Sequence, residues 1–232
     1  MSRLDTRKEE LLAFVIREYS KTAEPIASES VKERANLGIS PATIRNEMAE
    51  LEREGYLRQP HTSAGRVPTE AGYRYYVTNC LEAQNVEQDV AAIRHVFGEH
   101  PEDEARLKML ARELARTIEE GVFVGFTPQS TYYTGLSYLF GQPEFESQDL
   151  VRHLGDIIDN LDKIVAELFE EVVPGVQVYV GEDSPFGAQC GTVLLRPGTD
   201  RPMMGVLGPM RMDYDRTIAM MKGIERILEI RY

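Results

Sequence analysis

Cysteine is nearly absent. Cys80 and Cys190 stand alone, with no CxxC pair from which a thiolate metal site could be built. The N-terminus, MSRLDTRKEELL, has no apolar leader core, which points to a cytoplasmic chain without structural disulfides. His61, His95, His100 and His153 are scattered without ligand spacing, so no metal site is expected. No apolar run approaches the roughly 20 residues of a membrane span, although an apolar share of 42% is enough for a core. GxGxxG and Walker spacings are missing. Ser137 and Ser184 lack the context of a nucleophile elbow. The acid pairs Glu170-Glu171 and Glu182-Asp183 read as solvated carboxylates on helix ends or turns. These absences argue against an enzyme, and they call for no cofactor.

Positive charge is scarce too, and its distribution matters more than its total. The 232 residues hold 26 Lys and Arg against 38 Asp and Glu, a formal net charge of −12. Residues 1–80 contain 12 of each sign, so the rest of the chain carries the whole excess. Such a chain is a poor generic polyanion binder. Any contact with DNA must come from a local basic surface on the neutral N-terminal part. The length suits one large domain or two ordinary ones.

What is present is organised around Ile39 to Pro68, ISPATIRNEMAELEREGYLRQPHTSAGRVP. Ser40 can cap a helix, and Pro41 fits its first position, where an N–H is not needed. Gly55 follows the last helical residue, where a left-handed conformation is usual. Ile44, Met48 and Leu51 recur at i, i+4 and i+7 and turn one stripe to a core. Thr43, Arg45, Asn46 and Glu50 are left on other faces, and Ala42 and Thr43 keep the first turn small. Arg can take guanine bidentately and Asn adenine, which suits a helix entering a major groove. A solvated amphipathic helix is the plainer alternative for this segment by itself.

Its neighbours form a pattern. Thr6 and Glu9 have capping-box spacing and open a helix to about Lys21. Glu24-Pro25 breaks it, Ser28 can cap a short helix to about Arg34, and Asn36-Leu37-Gly38 supplies a turn. Three helices with short connections match a helix-turn-helix. After Gly55, two short strands flank a polar tip and make a hairpin, with Pro60 and Pro68 at its edges. Arg58, His61, Thr62, Ser63 and Arg66 gather basic and hydroxyl donors suited to phosphate or a minor groove, or are simply turn residues on a solvent-facing hairpin. Thr69 can cap a further helix whose tyrosines suit core packing.

At this point residues 4–81 resemble the winged-helix DNA-binding domain of the heat-inducible transcription repressor family, HrcA. The resemblance is carried by SPATIRNEMAELEREGYL (Ser40–Leu57), PHTSAGRVPTEAGYRYYV (Pro60–Val77) and, more loosely, AEPIASES (Ala23–Ser30). It implies a homodimeric repressor of heat-shock (chaperone) operons that binds double-stranded DNA at an inverted-repeat operator of the CIRCE type. It also implies a chaperonin partner. DNA contacts would then fall to Ser40, Thr43, Arg45 and Asn46 on the helix and to Arg58, His61, Thr62, Ser63 and Arg66 on the wing.

Residues 82–104 are polar and interrupted by Gly98 and Pro101, which suggests a linker with a short helix between domains at 1–81 and 105–232. Glu104 to Glu120 is strongly amphipathic. Strands are expected at 121–126, 176–180, 191–195 and 203–207, with helices from Ser147 to about Phe169 and from about Asp213 to Ile230. This half resembles the family's GAF-like C-terminal domain through GLSYLFGQPEF (Gly135–Phe145), VYVGED (Val178–Asp183) and GVLGPMRMDYDR (Gly205–Arg216). The expected fold is therefore α+β, a winged helix-turn-helix followed by a reduced GAF-like domain. Typical members carry extra sheet and an inserted dimerising region before the QPEF segment, whereas here Phe126 passes almost directly to Tyr132. The glycine-rich turn Gly205–Met212 with Arg211 suggests an anion pocket, with ordinary turn chemistry as the simpler reading. The alternatives to a heat-shock repressor are a protein–protein adaptor and a ligand-sensing winged-helix regulator of other genes.

Overall fold

In the computed structural model, residues 3–35, 38–61, 65–97, 104–143 and 155–229 are described. They divide into two compact units, Met1–Glu82 and Ala83–Tyr232.

In the first unit, Asp5 starts helix α1 (Thr6–Thr22), its carboxylate accepting from the Lys8 N–H at 3.0 Å. The cap is thus Asp5, one residue ahead of the expected Thr6. Helix α2 (Ser28–Arg34) begins after Ala27 without a side-chain cap, since the Ser28 hydroxyl is turned to Glu29 instead. Helix α3 (Pro41–Arg53) starts as the sequence predicts, with Ser40 accepting from the Thr43 N–H at 3.1 Å. Gly55, at φ +85°, turns the chain out of α3.

Strands β1 (Leu57–Arg58) and β2 (Val67–Pro68) then pair antiparallel, and Thr69 caps helix α4 (Glu70–Asn79). Leu11, Leu12, Val15, Ile16, Val31, Ile44, Leu51 and Leu57 are buried in one core beneath these elements. Tyr75 closes it: its hydroxyl accepts from the Leu4 N–H and donates to Glu9. Burial, followed by the Glu9 carboxylate, pushes that hydroxyl up to about 12. A bridge absent from the sequence reading joins Ile26 to Arg66, with N–H to carbonyl distances of 2.9 and 2.8 Å. It ties the loop ahead of α2 to the root of the hairpin.

In the second unit, helices α5 (Glu87–Phe97) and α6 (Glu104–Ile118) precede strands β3 (Gly121–Thr127) and β4 (Ser130–Thr134). Then come α7 (Leu136–Phe140), α8 (Leu161–Glu171), β5 (Gly175–Val180), β6 (Cys190–Arg196), β7 (Met203–Pro209) and α9 (Tyr214–Glu229). The strands form one antiparallel sheet in the order β4-β3-β7-β6-β5. Both faces are covered, so the inner strands β6 and β7 are buried along their whole length.

On one face Phe123, Leu194, Met203 and Leu207 pack with Leu139 of α7 and with Leu161, Val165 and Leu168 of α8. Alternate residues, including Val122, Val193 and Val206, turn to the other face, where α6 lies on β3 and α9 on β5 and β6. Gly205 belongs to the first face. A Cβ there would come within 2.2 Å of the Phe123 ring, so the missing side chain is what lets that ring cross the sheet.

Two expectations fail here. The stretch 82–104 is not a separate linker where it is described: α5 packs on α6 and α9, with Ile93 fully buried. Val86, Val90 and Ile93 fall at i, i+4 and i+7, an apolar stripe hidden by a polar average. The sheet also has a fifth strand, β4, where the sequence reading passed from Phe126 to Tyr132 without one. The start of the helix expected at Ser147, and Glu144-Phe145 of the QPEF segment, lie outside the described residues.

Candidate nucleic-acid interface

Helix α3 separates its side chains cleanly. Ile44, Met48 and Leu51 are buried, while Ala42, Arg45 and Asn46 are exposed at i, i+3 and i+4. The resulting stripe is small at the N-terminal end and carries one guanidinium and one amide. Ser40 and Thr43 are engaged with each other as well as with the cap, their hydroxyl oxygens 2.9 Å apart. What this end of α3 therefore offers an anion is backbone N–H and the positive end of the helix dipole more than free hydroxyls.

The helix is rich in carboxylates, a poor property for a surface near phosphates, and these carboxylates are answered by cations. Glu47 faces Arg7, Glu50 and Glu54 share Lys8, and Glu52 faces Arg66 at 2.9 Å. Glu54 and then Glu50 hold the Lys8 ammonium above the ordinary lysine range. The sequence had not singled out Arg7 or Lys8. The signal available was that α1 opens with cations while α3 closes with acids.

Arg45 has one ion-pair partner of its own, Glu29 of α2, at 3.1 Å. The other oxygen of Glu29 accepts from the Ser28 hydroxyl at 3.0 Å. Its own backbone N–H and that hydroxyl, with Arg45 adding attraction, hold the Glu29 carboxyl below the usual carboxylate range.

On the hairpin, Arg58 and His61 are exposed. Thr62 and Ser63 lie outside the described residues. Arg66 is placed differently from the other candidates: its side chain is only 18% exposed and turns back to Glu52. Glu52 also accepts from the Gln59 N–H at 3.2 Å, so one carboxylate fastens both arms of the hairpin to α3. Glu52→Ala is expected to keep the fold while speeding amide exchange at Gln59. It should lower stability by about 1 kcal/mol, because the pair is partly open to solvent. An unchanged Gln59 exchange rate would show that the hairpin root is held by other contacts.

The stretch expected as a glycine-rich turn is strand as far as Pro209, and its glycines have a packing explanation. Gly205 admits the Phe123 ring, and a Cβ on Gly208 would lie 2.4 Å from the Glu120 carboxylate. Arg211 donates to the Gln142 side chain at 2.6 Å. Among the described residues no helix is long and apolar enough to cross a membrane, and no group of three His, Cys, Asp or Glu could hold a metal ion.

The chain is a mixed helix-and-sheet protein with a five-stranded antiparallel sheet, and comparison with known proteins gives the family. The family model described as the HrcA protein C-terminal domain matches residues 73–218. This chain belongs to the HrcA family, a family of transcription repressors and not of enzymes.

The heat-inducible transcription repressor HrcA of Carboxydothermus hydrogenoformans is 27% identical over 332 aligned positions, covering 97% of each chain. That alignment is longer than the present chain, so the relative has stretches that stand opposite gaps here. The namesake from Moorella thermoacetica is 61% identical over 79 residues, 34% of this chain and 23% of the relative. A crystal structure of a hypothetical protein at 2.2 Å shares the fold, with a TM-score of 0.79, 20% identity and 98% of both chains covered.

Proposed function

We propose that the chain is a DNA-binding transcriptional repressor of heat-shock operons, with the first unit as a winged helix-turn-helix and the second as a reduced GAF-like regulatory or dimerising domain. The observation that carries this reading is the exposed Ala42–Arg45–Asn46 stripe on a capped helix whose opposite face is buried. The helix α3 enters the major groove, where Arg45 takes guanine and Asn46 takes adenine. Ser40 and Thr43 set its N-terminal end against a phosphate. Arg58, His61, Thr62 and Ser63 engage backbone or minor groove from the wing, while Arg66 acts mainly by fixing the wing through Glu52.

The operator is an inverted repeat of the CIRCE type, which two copies of the chain read as a homodimer. Repression needs no chemistry beyond occupying a promoter in the cytoplasm. A chaperonin is the proposed partner that keeps the repressor active. The relatives' name, heat-inducible transcription repressor, supports the regulatory class.

Gel shifts with the purified chain on a duplex carrying the CIRCE inverted repeat, and on the same duplex with scrambled half-sites, test this reading. Light scattering supplies the stoichiometry. The expected result is a strong preference for the repeat, with two chains per duplex. Equal affinity for both duplexes overturns the reading and favours a protein–protein adaptor.

A further inference from the structure

We propose that Glu29 is a specificity-determining positioning residue: its carboxylate aims the Arg45 guanidinium along the exposed face of α3. The proposal rests on the major-groove reading of that helix. Arg45 has four rotatable bonds and an exposed side chain, so by itself it would sample many directions, each lost conformer costing entropy on binding. The structure pairs it in one direction, through side chains that stay 68% and 65% exposed, so the bias is that of a surface ion pair. Its Nη2 donates to Glu29 Oε1 at 3.1 Å, while the other oxygen of Glu29 is held by the Ser28 hydroxyl at 3.0 Å. Ser28 is itself buried in the first turn of α2. The chain of contacts therefore runs from the buried Ser28 through a carboxylate anchored at one oxygen to the guanidinium that its other oxygen receives.

A carboxylate in this position has a second consequence. The guanidinium has more donors than Glu29 uses, so it can keep that contact and still present a fork edge to guanine. Meanwhile the negative charge repels nearby phosphates and weakens binding to any sequence. That repulsion acts on specific and scrambled duplexes alike, so it is the aiming of Arg45 that raises the ratio of specific to non-specific affinity, the quantity that matters among many competing sites. Sequence reading did not find Glu29, because the contact joins two helices across 16 positions of the chain.

The test is a thermodynamic cycle on the full chain with Glu29→Gln, Arg45→Ala and the double variant. It reads affinities for the CIRCE duplex and for its scrambled form at several salt concentrations. Glu29→Gln keeps an acceptor for Arg45 and removes the charge. It is expected to tighten binding to scrambled DNA and to lower the preference for the repeat by a few-fold, the order of an exposed ion pair. In the Arg45→Ala background the same change is expected to leave the preference unmoved, since Glu29 would then have nothing to aim. A preference unchanged by Glu29→Gln overturns the proposal, as does an equal drop with and without Arg45. Melting temperatures of all four proteins separate these outcomes from loss of fold. If the unaltered chain shows no preference between duplexes, the repressor reading fails, and that result is distinct from failure of the Glu29 assignment.

Discussion

Arg45→Ala and Asn46→Ala are each expected to weaken binding to an inverted-repeat duplex by about 1–3 kcal/mol, roughly 5- to 150-fold. Binding to scrambled DNA should change far less. The expectation follows from burial: neither side chain contributes to the core, so removing it leaves Ile44, Met48 and Leu51 in place and the helix intact. The two losses should differ in kind. Arg45 carries charge, so its removal should also make the salt dependence slightly shallower. Asn46 is neutral, and its removal should leave the slope unaltered. A gel-shift or anisotropy titration at three salt concentrations reads both effects. Equal losses on specific and scrambled duplexes for Arg45→Ala would mean that it meets phosphate and not a base.

Phe123→Ala should produce the largest change in stability, about 3–5 kcal/mol. The side chain is 2% exposed, fills the gap opened by Gly205, and meets Phe186 at a ring-centroid distance of 5.3 Å. Around it stand Leu194 from β6, Leu207 from β7 and the α8 residues Val165 and Leu168. Truncation removes an aromatic ring from the centre of a sheet face, where neighbours on two sides cannot collapse inward together. Against a typical total of about 5–15 kcal/mol, that is a large part of the margin. Urea unfolding measures it as a drop in midpoint at little altered slope. A loss below about 1 kcal/mol would show that the face repacks freely, and that Gly205 is a tolerance and not a requirement.

Much of the first unit was legible in the sequence because its signals are local. Ser40, Pro41 and Gly55 set the limits of α3 within a few bonds of where they act, and Thr69 does the same for α4. The buried stripes followed from spacing alone. What escaped was set by contacts between distant positions. The turn from Glu52 to Arg66 and the bridge from Ile26 to Arg66 depend on how the hairpin lies against α2 and α3, which no spacing rule encodes. Arg66 illustrates the cost of reading residue type without geometry: an arginine in a polar loop suggests a phosphate contact, yet its side chain is largely covered.

In the second unit, strand β4 was missed because Ser130–Thr134 has only half-buried or exposed residues and sits directly after a tight turn. A short helix was expected within 82–104, and what escaped was that α5 belongs to the second unit, because Val90 and Ile93 stand among charged residues that make the segment look like a linker.

The bridge between Ile26 and Arg66 has one more implication. It fastens the approach to α2 to the base of the wing, so neither can tilt without dragging the other. A local opening at the start of α2 is therefore expected to loosen the hairpin root as well, read as matched amide exchange at Ile26 and Arg66.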